Sequence, residues 1–313
     1  MIKKPFFLVG AERSGTTLLR LMLDHNPRVA CFQEFECSVD FVGDDGVFPE
    51  VGWMRDLLSG PMFRDMFPQG VPEGSDTYPE LMDGILAEKR DQGGKELIGA
   101  TVHRHFDRLI HIWPDAVFIH LVRDGRDVAR SRIAMGWDGN VWTAIDEWVE
   151  TAGLWDGLKA KVGVSRCHEV RYEELIAEPQ AELERICGFL GTVYASEMMS
   201  YSENSTYSVP DPSLVYQWRK KALPSEIQLM EHKALETLLQ RGYEASGLDR
   251  ISVSGVEAKK LERESAWGKR RFRLRRYGLP LVAMDILSRR LPLPSFRRWV
   301  EERLAIVRRR HLK

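Results

Sequence analysis

A short apolar run, Phe6 to Val9, ends at Gly10 and continues as Ala11-Glu12-Arg13-Ser14-Gly15-Thr16-Thr17. Leu18, Leu19, Met22 and Leu23 then recur at spacings of three and four, which predicts a helix with one apolar face. Strand, glycine loop and helix N-terminus together make an anion cradle, because unpaired backbone amides and the positive end of the helix dipole point the same way. The spacing Gly10-x4-Gly15 copies a Walker A loop up to its second glycine. Thr16 then stands where the lysine that reaches the outer phosphates belongs, and the cation sits inside the loop as Arg13. Arg13, with the hydroxyls of Ser14, Thr16 and Thr17, suits a phosphate held without a Walker lysine. The plainer alternative is a tight strand-to-helix turn with a surface arginine.

A second stretch repeats this logic. Ala116 to Val122 is apolar and β-branched, and it runs into Arg123-Asp124-Gly125-Arg126-Asp127-Val128-Ala129-Arg130-Ser131. Arg123 falls at the carboxyl end of the expected strand, where parallel α/β sheets bind ligands. Ser131 lies eight residues on, two turns into the expected helix. An arginine at a strand tip and a serine on the following helix are suited to grip one phosphate from two sides. For Arg126 and Asp127 a purely structural ion-pair turn suffices.

Two strand–loop–helix anion sites, one lacking the Walker lysine, suggest a ligand with two separate phosphate groups. In this the chain resembles the sulfotransferases that use 3′-phosphoadenosine-5′-phosphosulfate (PAPS) and release 3′,5′-bisphosphoadenosine (PAP). Arg13-Ser14-Gly15-Thr16-Thr17 and Val122-Arg123-Asp124-Gly125-Arg126-Asp127 are closest to the forms found in tyrosylprotein sulfotransferases and a broad group of bacterial sulfotransferases. The resemblance covers about Pro5 to Tyr243. It implies that Arg13 to Thr17 hold the 5′-phosphosulfate and that Arg123 and Ser131 hold the 3′-phosphate. Tyr172, in Tyr172-Glu173-Glu174-Leu175, matches a tyrosine that contacts the nucleotide. The segment from Ser205 to Lys220, with Trp218 and Arg219, matches one that closes over it.

Sulfuryl transfer needs a base for the acceptor hydroxyl and cations for the leaving phosphate. The resemblance offers two bases. Glu34 lies at the offset of the glutamate that serves tyrosylprotein sulfotransferases, and His103 lies where cytosolic sulfotransferases place a catalytic histidine. Glu36 stands where the tyrosylprotein enzymes keep an arginine, a departure that argues against an acidic peptide acceptor. The acceptor is expected to be a carbohydrate, lipid, small alcohol or phenol hydroxyl, less readily a peptide tyrosine. No metal is required. His103, His105 and His111 make a weak zinc pattern, since spacing alone does not bring ligands together. The alternatives are a P-loop kinase or other phosphotransferase, which needs Mg²⁺ and the missing lysine, and a non-catalytic nucleotide- or polyanion-binding protein.

The elements that must position these residues read as a parallel sheet covered by helices. Further strands are expected at Leu97 to Val102 and His168 to Tyr172, each followed by a helical pattern. The expected class is thus α/β, a P-loop-like three-layer fold with a central parallel sheet and a basic helical C-terminal extension. Cys31 to Gly94 is loop-rich and long enough to cap a site. Gly139 to Lys161 reads as one helix, whose tryptophans Trp142, Trp148 and Trp155 face the core or, alternatively, an acceptor pocket. Pro224 to Tyr243 reads as another. We divide the 313 residues into a PAPS-binding domain, 1–250, and the extension, 251–313.

The net charge of −1 conceals an asymmetry. From Val256 to Lys313 there are 18 Lys+Arg and 6 Asp+Glu, leaving 27 basic and 40 acidic residues elsewhere. The tail interleaves basic and apolar residues in Lys269 to Tyr277, Phe296 to Val300 and Arg308-Arg309-Arg310. It is expected either to touch an anionic membrane or polymer, or to pack on the acidic body or across a homodimer. Cys31, Cys37, Cys167 and Cys187 form no disulfide framework or C-x-x-C pair. With no signal-like segment and no run long enough to span a membrane, the expected location is cytoplasmic, with a peripheral membrane association through the tail.

Overall fold

The computed structural model describes residues 2–60, 63, 66–67, 70–203 and 205–309, and the side chains of 308 and 309 are not among them. Part of the basic run Arg308-Arg309-Arg310 therefore lies outside the described residues. The chain clusters into two compact units, one made of Met1–Asp124 and Trp148–Gln217, the other of Gly125–Glu147 and Trp218–Lys313.

The first unit holds a five-stranded parallel sheet: β1 (Phe6–Val9), β2 (Val29–Glu34), β3 (Leu97–Val102), β4 (Val117–Val122) and β5 (Cys167–Arg171), in the order β2-β3-β1-β4-β5. Alternation along each strand builds two cores. Phe7, Val9, Ala100, Val102 and Phe118 face one side, against Leu81, Ile85 and Leu109. Phe6, Leu8, Ile119, Leu121 and Val170 face the other, against Leu18, Leu19, Met22 and Leu23 of the helix Thr16–Asp24. A strand buried on both faces is mainly apolar, which explains the unbroken apolar run of β1 and the apolar run of β4, interrupted by the buried His120, which pairs with Glu169. The three-layer arrangement expected from the sequence is the one observed.

The sequence reading left β2 unassigned within a loop-rich stretch. It is an edge strand paired only with β3, and its last two residues, Gln33 and Glu34, are exposed. The single helix expected over Gly139–Lys161 is two, Val141–Ala144 and Asp146–Val162. The Asn140 side chain starts the first by accepting from the Thr143 amide. Trp142, Trp148 and Trp155 are all buried, as the core reading expected.

The second unit is helical. Gly125–Met135 and Val141–Ala144 lie with Pro224–Gln240 and with the long helix Gly255–Ser288, which is followed by Pro294–Arg309. Its interior holds polar groups: Arg126 is fully buried, ion-paired to Glu231 at 2.6 Å and stacked 3.7 Å over the Trp218 ring. The Asp127 carboxylate accepts from the Trp218 amide at 2.8 Å. Arg126 and Asp127 thus fill the structural role the sequence allowed them. The long helix breaks at Gly278, whose φ of 76° is left-handed, two residues before Pro280. Among the described residues no helix is long and apolar enough to cross a membrane.

Candidate active site

All five strands of a parallel sheet end on the same edge, and every strand here delivers a candidate residue there. In sheet order these are Glu34 at the end of β2, His103 after β3, the Gly10–Gly15 loop after β1, Arg123 after β4 and Tyr172 after β5. The loop follows the central strand, between the two directions in which the chain winds, the place where open α/β sheets hold ligands.

The loop's backbone explains its residues. Gly10 has φ 148°, and a Cβ there would lie 2.4 Å from the Leu121 carbonyl oxygen. Gly15 has φ 100°, and a Cβ would meet the Tyr172 ring at 2.5 Å. Arg13 is one of the few non-glycine residues with positive φ, at 77°. Left-handed residues at 13 and 15 flank Ser14, a backbone pattern that turns amides inward as an anion nest. No side chain caps the helix that begins at Thr16, so its first amides remain available to a ligand. Ser14 is completely buried and its hydroxyl has no hydrogen-bond partner. An orphaned buried hydroxyl within such a cradle is what a site for a phosphate-bearing ligand leaves when seen alone.

On one side of the loop, the Thr16 hydroxyl lies 3.0 Å from His103 Nε2, and His103 Nδ1 lies 2.7 Å from the Glu36 carboxylate. The His103 amide donates to the same Glu36 oxygen at 3.2 Å. Burial alone would discharge both groups. The mutual hydrogen bond and charge overcome it, so His103 is pushed above its ordinary pKa, with help from Glu34 and Glu12, while Glu36 is pulled below its own. As an imidazolium, His103 donates to both partners, and the Thr16 hydroxyl, accepting from it, can donate its own proton into the loop. Glu34 is exposed at the strand tip, opposite Thr101 of β3.

On the other side, the Arg123 guanidinium stacks 4.4 Å from the Tyr172 ring centre and donates to the Arg13 carbonyl at 3.5 Å and the Leu214 carbonyl at 2.8 Å. Trp148 fixes the strand end by donating its indole N–H to the Arg123 carbonyl at 2.9 Å. Arg123 therefore braces the left-handed residue of the loop and meets the segment after Ser205. Within that segment the Ser205 hydroxyl accepts from the Tyr207 amide at 3.2 Å. Ser131, Trp218 and Arg219 belong to the second unit. There Ser131 is half-buried on the helix Gly125–Met135, Trp218 is buried against Arg126, and Arg219 is exposed, 3.4 Å from Glu244.

Sequence reasoning singled out His103 but not Glu36 as its partner. The two are 67 residues apart and meet only because β2 and β3 pair. The carbonyl of Leu214 was also missed, since a backbone acceptor leaves no mark in the sequence. Among the described residues no group of three or more His, Cys, Asp or Glu converges as a metal site.

The model of the sulfotransferase family matches residues 5–196. Protein-tyrosine sulfotransferase 2 of Gallus gallus is 26% identical over 208 residues, 63% of this chain and 53% of that protein. Omega-hydroxy-beta-dihydromenaquinone-9 sulfotransferase Stf3 of Mycobacterium bovis is 24% identical over 246 residues, 60% of this chain and 62% of that one. The chain spans about half the length of the curated relatives it matches, 53% of the Gallus gallus protein and 42% of protein-tyrosine sulfotransferase of Drosophila melanogaster. Among solved structures, the sulfotransferase domain from the curacin biosynthetic pathway superposes with a TM-score of 0.58 at 18% identity, covering 78% of this chain and 99% of that domain.

Proposed function

Since the chain belongs to the sulfotransferase family, we propose that it transfers the sulfuryl group of PAPS to an acceptor hydroxyl, giving a sulfate ester and PAP. The observation that carries this reading is the orphaned, fully buried Ser14 hydroxyl inside a lysine-free loop whose cation is Arg13. PAPS, when bound, supplies an activated sulfuryl group on a phosphate leaving group. Arg13, the loop amides and the hydroxyls of Ser14, Thr16 and Thr17 hold that phosphate and stabilise the charge it gains. Arg123 takes the 3′-phosphate, with Tyr172 packed beside it.

Glu34 is the base in this reading. His103 has both ring nitrogens engaged, by Thr16 and Glu36, so it positions the Thr16 hydroxyl instead of accepting a proton. Glu34 presents an exposed carboxylate one strand further out. It takes the acceptor proton as the acceptor oxygen bonds to sulfur. The bond from sulfur to the phosphate oxygen breaks, and the electron pair stays on the phosphate. The two curated relatives are named for protein tyrosine and for omega-hydroxy-beta-dihydromenaquinone-9, and both named acceptors carry a hydroxyl.

Transfer of labelled sulfate from PAPS across carbohydrate, lipid, alcohol, phenol and tyrosyl-peptide acceptors tests the reaction. Parallel titrations with PAP and with ATP/Mg²⁺ test the ligand. Tight binding of ATP/Mg²⁺ without binding of PAP would reject it in favour of a phosphotransferase.

A further inference from the structure

Beyond Gly278 the chain turns its apolar side outward. Leu279, Ala283, Ile286 and Leu287 are spaced i, i+4, i+7 and i+8, which places them on one helical face. That face is open: Leu279 is 70% exposed, Ile286 46% and Leu287 49%. The opposite face, Val282, Asp285 and Ser288, is the buried one. Asp285 is held there by Arg273 and, at 3.2 Å, by Arg289. A surface helix ordinarily buries its apolar stripe and shows water its polar one. This helix does the reverse. In the next helix Trp299 and Ile306 are likewise exposed, while Val300 and Leu304 are buried.

The sequence on either side of this stripe is strongly basic up to Val300, with exposed Glu301 and Glu302 following. From Ser265 to Val300 the only acidic residue is Asp285, and it is buried. Arg271, Arg275, Arg290 and Arg298 are exposed. An occupant must therefore accept apolar side chains and supply negative charge around them. A second copy of this face fails the second condition, since a two-fold contact would oppose two like-charged arginine sets. A soluble polyanion fails the first, because it has no apolar interior. We propose that the face formed by Leu279–Leu287 docks on an anionic lipid bilayer. Apolar side chains enter the acyl boundary, and the arginines lie at the headgroups. The docking is one-sided and peripheral, and it does not depend on sulfuryl transfer.

The test is co-sedimentation of the full chain, without nucleotide, with vesicles of phosphatidylcholine alone and of phosphatidylcholine mixed with phosphatidylglycerol. Binding is expected only to the mixed vesicles and should weaken with salt. The Ile286→Ser/Leu287→Ser variant should bind about tenfold more weakly or worse. Arg290→Gln and Arg298→Gln should each lower affinity about fivefold. All four positions are exposed, and circular dichroism of each variant should match the parent. Equal binding to both vesicle types, or to neither, would overturn the proposal. So would serine variants that bind as the parent does, which would leave charge alone. A lipid-free dimer that Ile286→Ser/Leu287→Ser dissolves, seen by sedimentation velocity, would assign the face to a second copy instead.

Discussion

At the scale of single residues, the roles divide between groups that meet the reacting atoms and groups that hold them. Glu34→Gln should lower kcat about 10²–10⁴-fold, the usual range for losing a general base, while calorimetric PAP affinity stays within about twofold. Arg13→Ala should depress kcat more than it raises the KM for PAPS, because the charge it meets grows as the bond to sulfur breaks. Unchanged turnover in Arg13→Ala would show that the sulfuryl group does not depart at this loop. The His103–Glu36 pair predicts a pH signature. His103, raised in the fold, contributes stability fully below its ordinary value of 6.5, and the contribution fades as pH climbs through the raised value. Glu36, depressed in the fold, contributes fully above its ordinary 4.5, and the contribution fades as pH falls through the lowered value. Glu36→Gln should therefore cost most between these ordinary values. Thermal melts of parent and variant should converge at high pH, and a difference that grows with alkalinity would contradict the assignment.

At the scale of elements, the fold explains why some parts could be read from the chain and others not. Arg13 to Thr17 and Arg123 lie within contiguous strand–loop–helix units, so local spacing displays them. β2 does not announce itself, because its edge position needs neither a long apolar run nor strict alternation, and its pairing with β3 supplies what the local pattern lacks. Missing β2 meant missing the pairing that brings Glu36 to His103. The helix split at Ile145 was hidden for a related reason: a run of helix-compatible residues does not show that Asn140 caps a separate short turn. Gly10 illustrates the opposite case, a residue legible as special whose reason is tertiary. Gly10→Ala would push a methyl into the backbone carbonyl of Leu121, which a flexible side chain cannot relieve. It should destabilise the protein by about 3 kcal/mol in chemical denaturation, at the upper end of ordinary single substitutions. Gly15→Ala meets only the Tyr172 ring, though its φ of 100° adds strain, so we expect a smaller loss of stability and a larger loss of PAP affinity.

At the scale of the whole molecule, the second unit is assembled from distant stretches of chain. Gly139 donates its amide to the Ser265 hydroxyl at 3.0 Å, and the Asn140 side chain donates to the Leu261 carbonyl at 2.7 Å. A Cβ on Gly139 would lie 2.0 Å from the Ser265 carbonyl oxygen, and one on Gly136 would lie 2.1 Å from the Phe272 ring. At Gly139 segment and helix thus meet backbone to backbone, a closeness that only glycine permits. This bears on biosynthesis. A ribosome delivers Gly125–Glu147 more than a hundred residues before the helix that receives it. Until Trp218 and Pro224–Gln240 emerge, Arg126 and Asp127 lack the groups that hold them, and until Leu261 and Ser265 emerge, Asn140 and Gly139 lack theirs, whereas β1 to β4 can already pair. Nascent chains stalled before Ser254 should be cut by protease within 125–147, and chains released after Ser288 should be protected there. The order of synthesis would then make the helix after the second anion loop settle later than the strands that precede it.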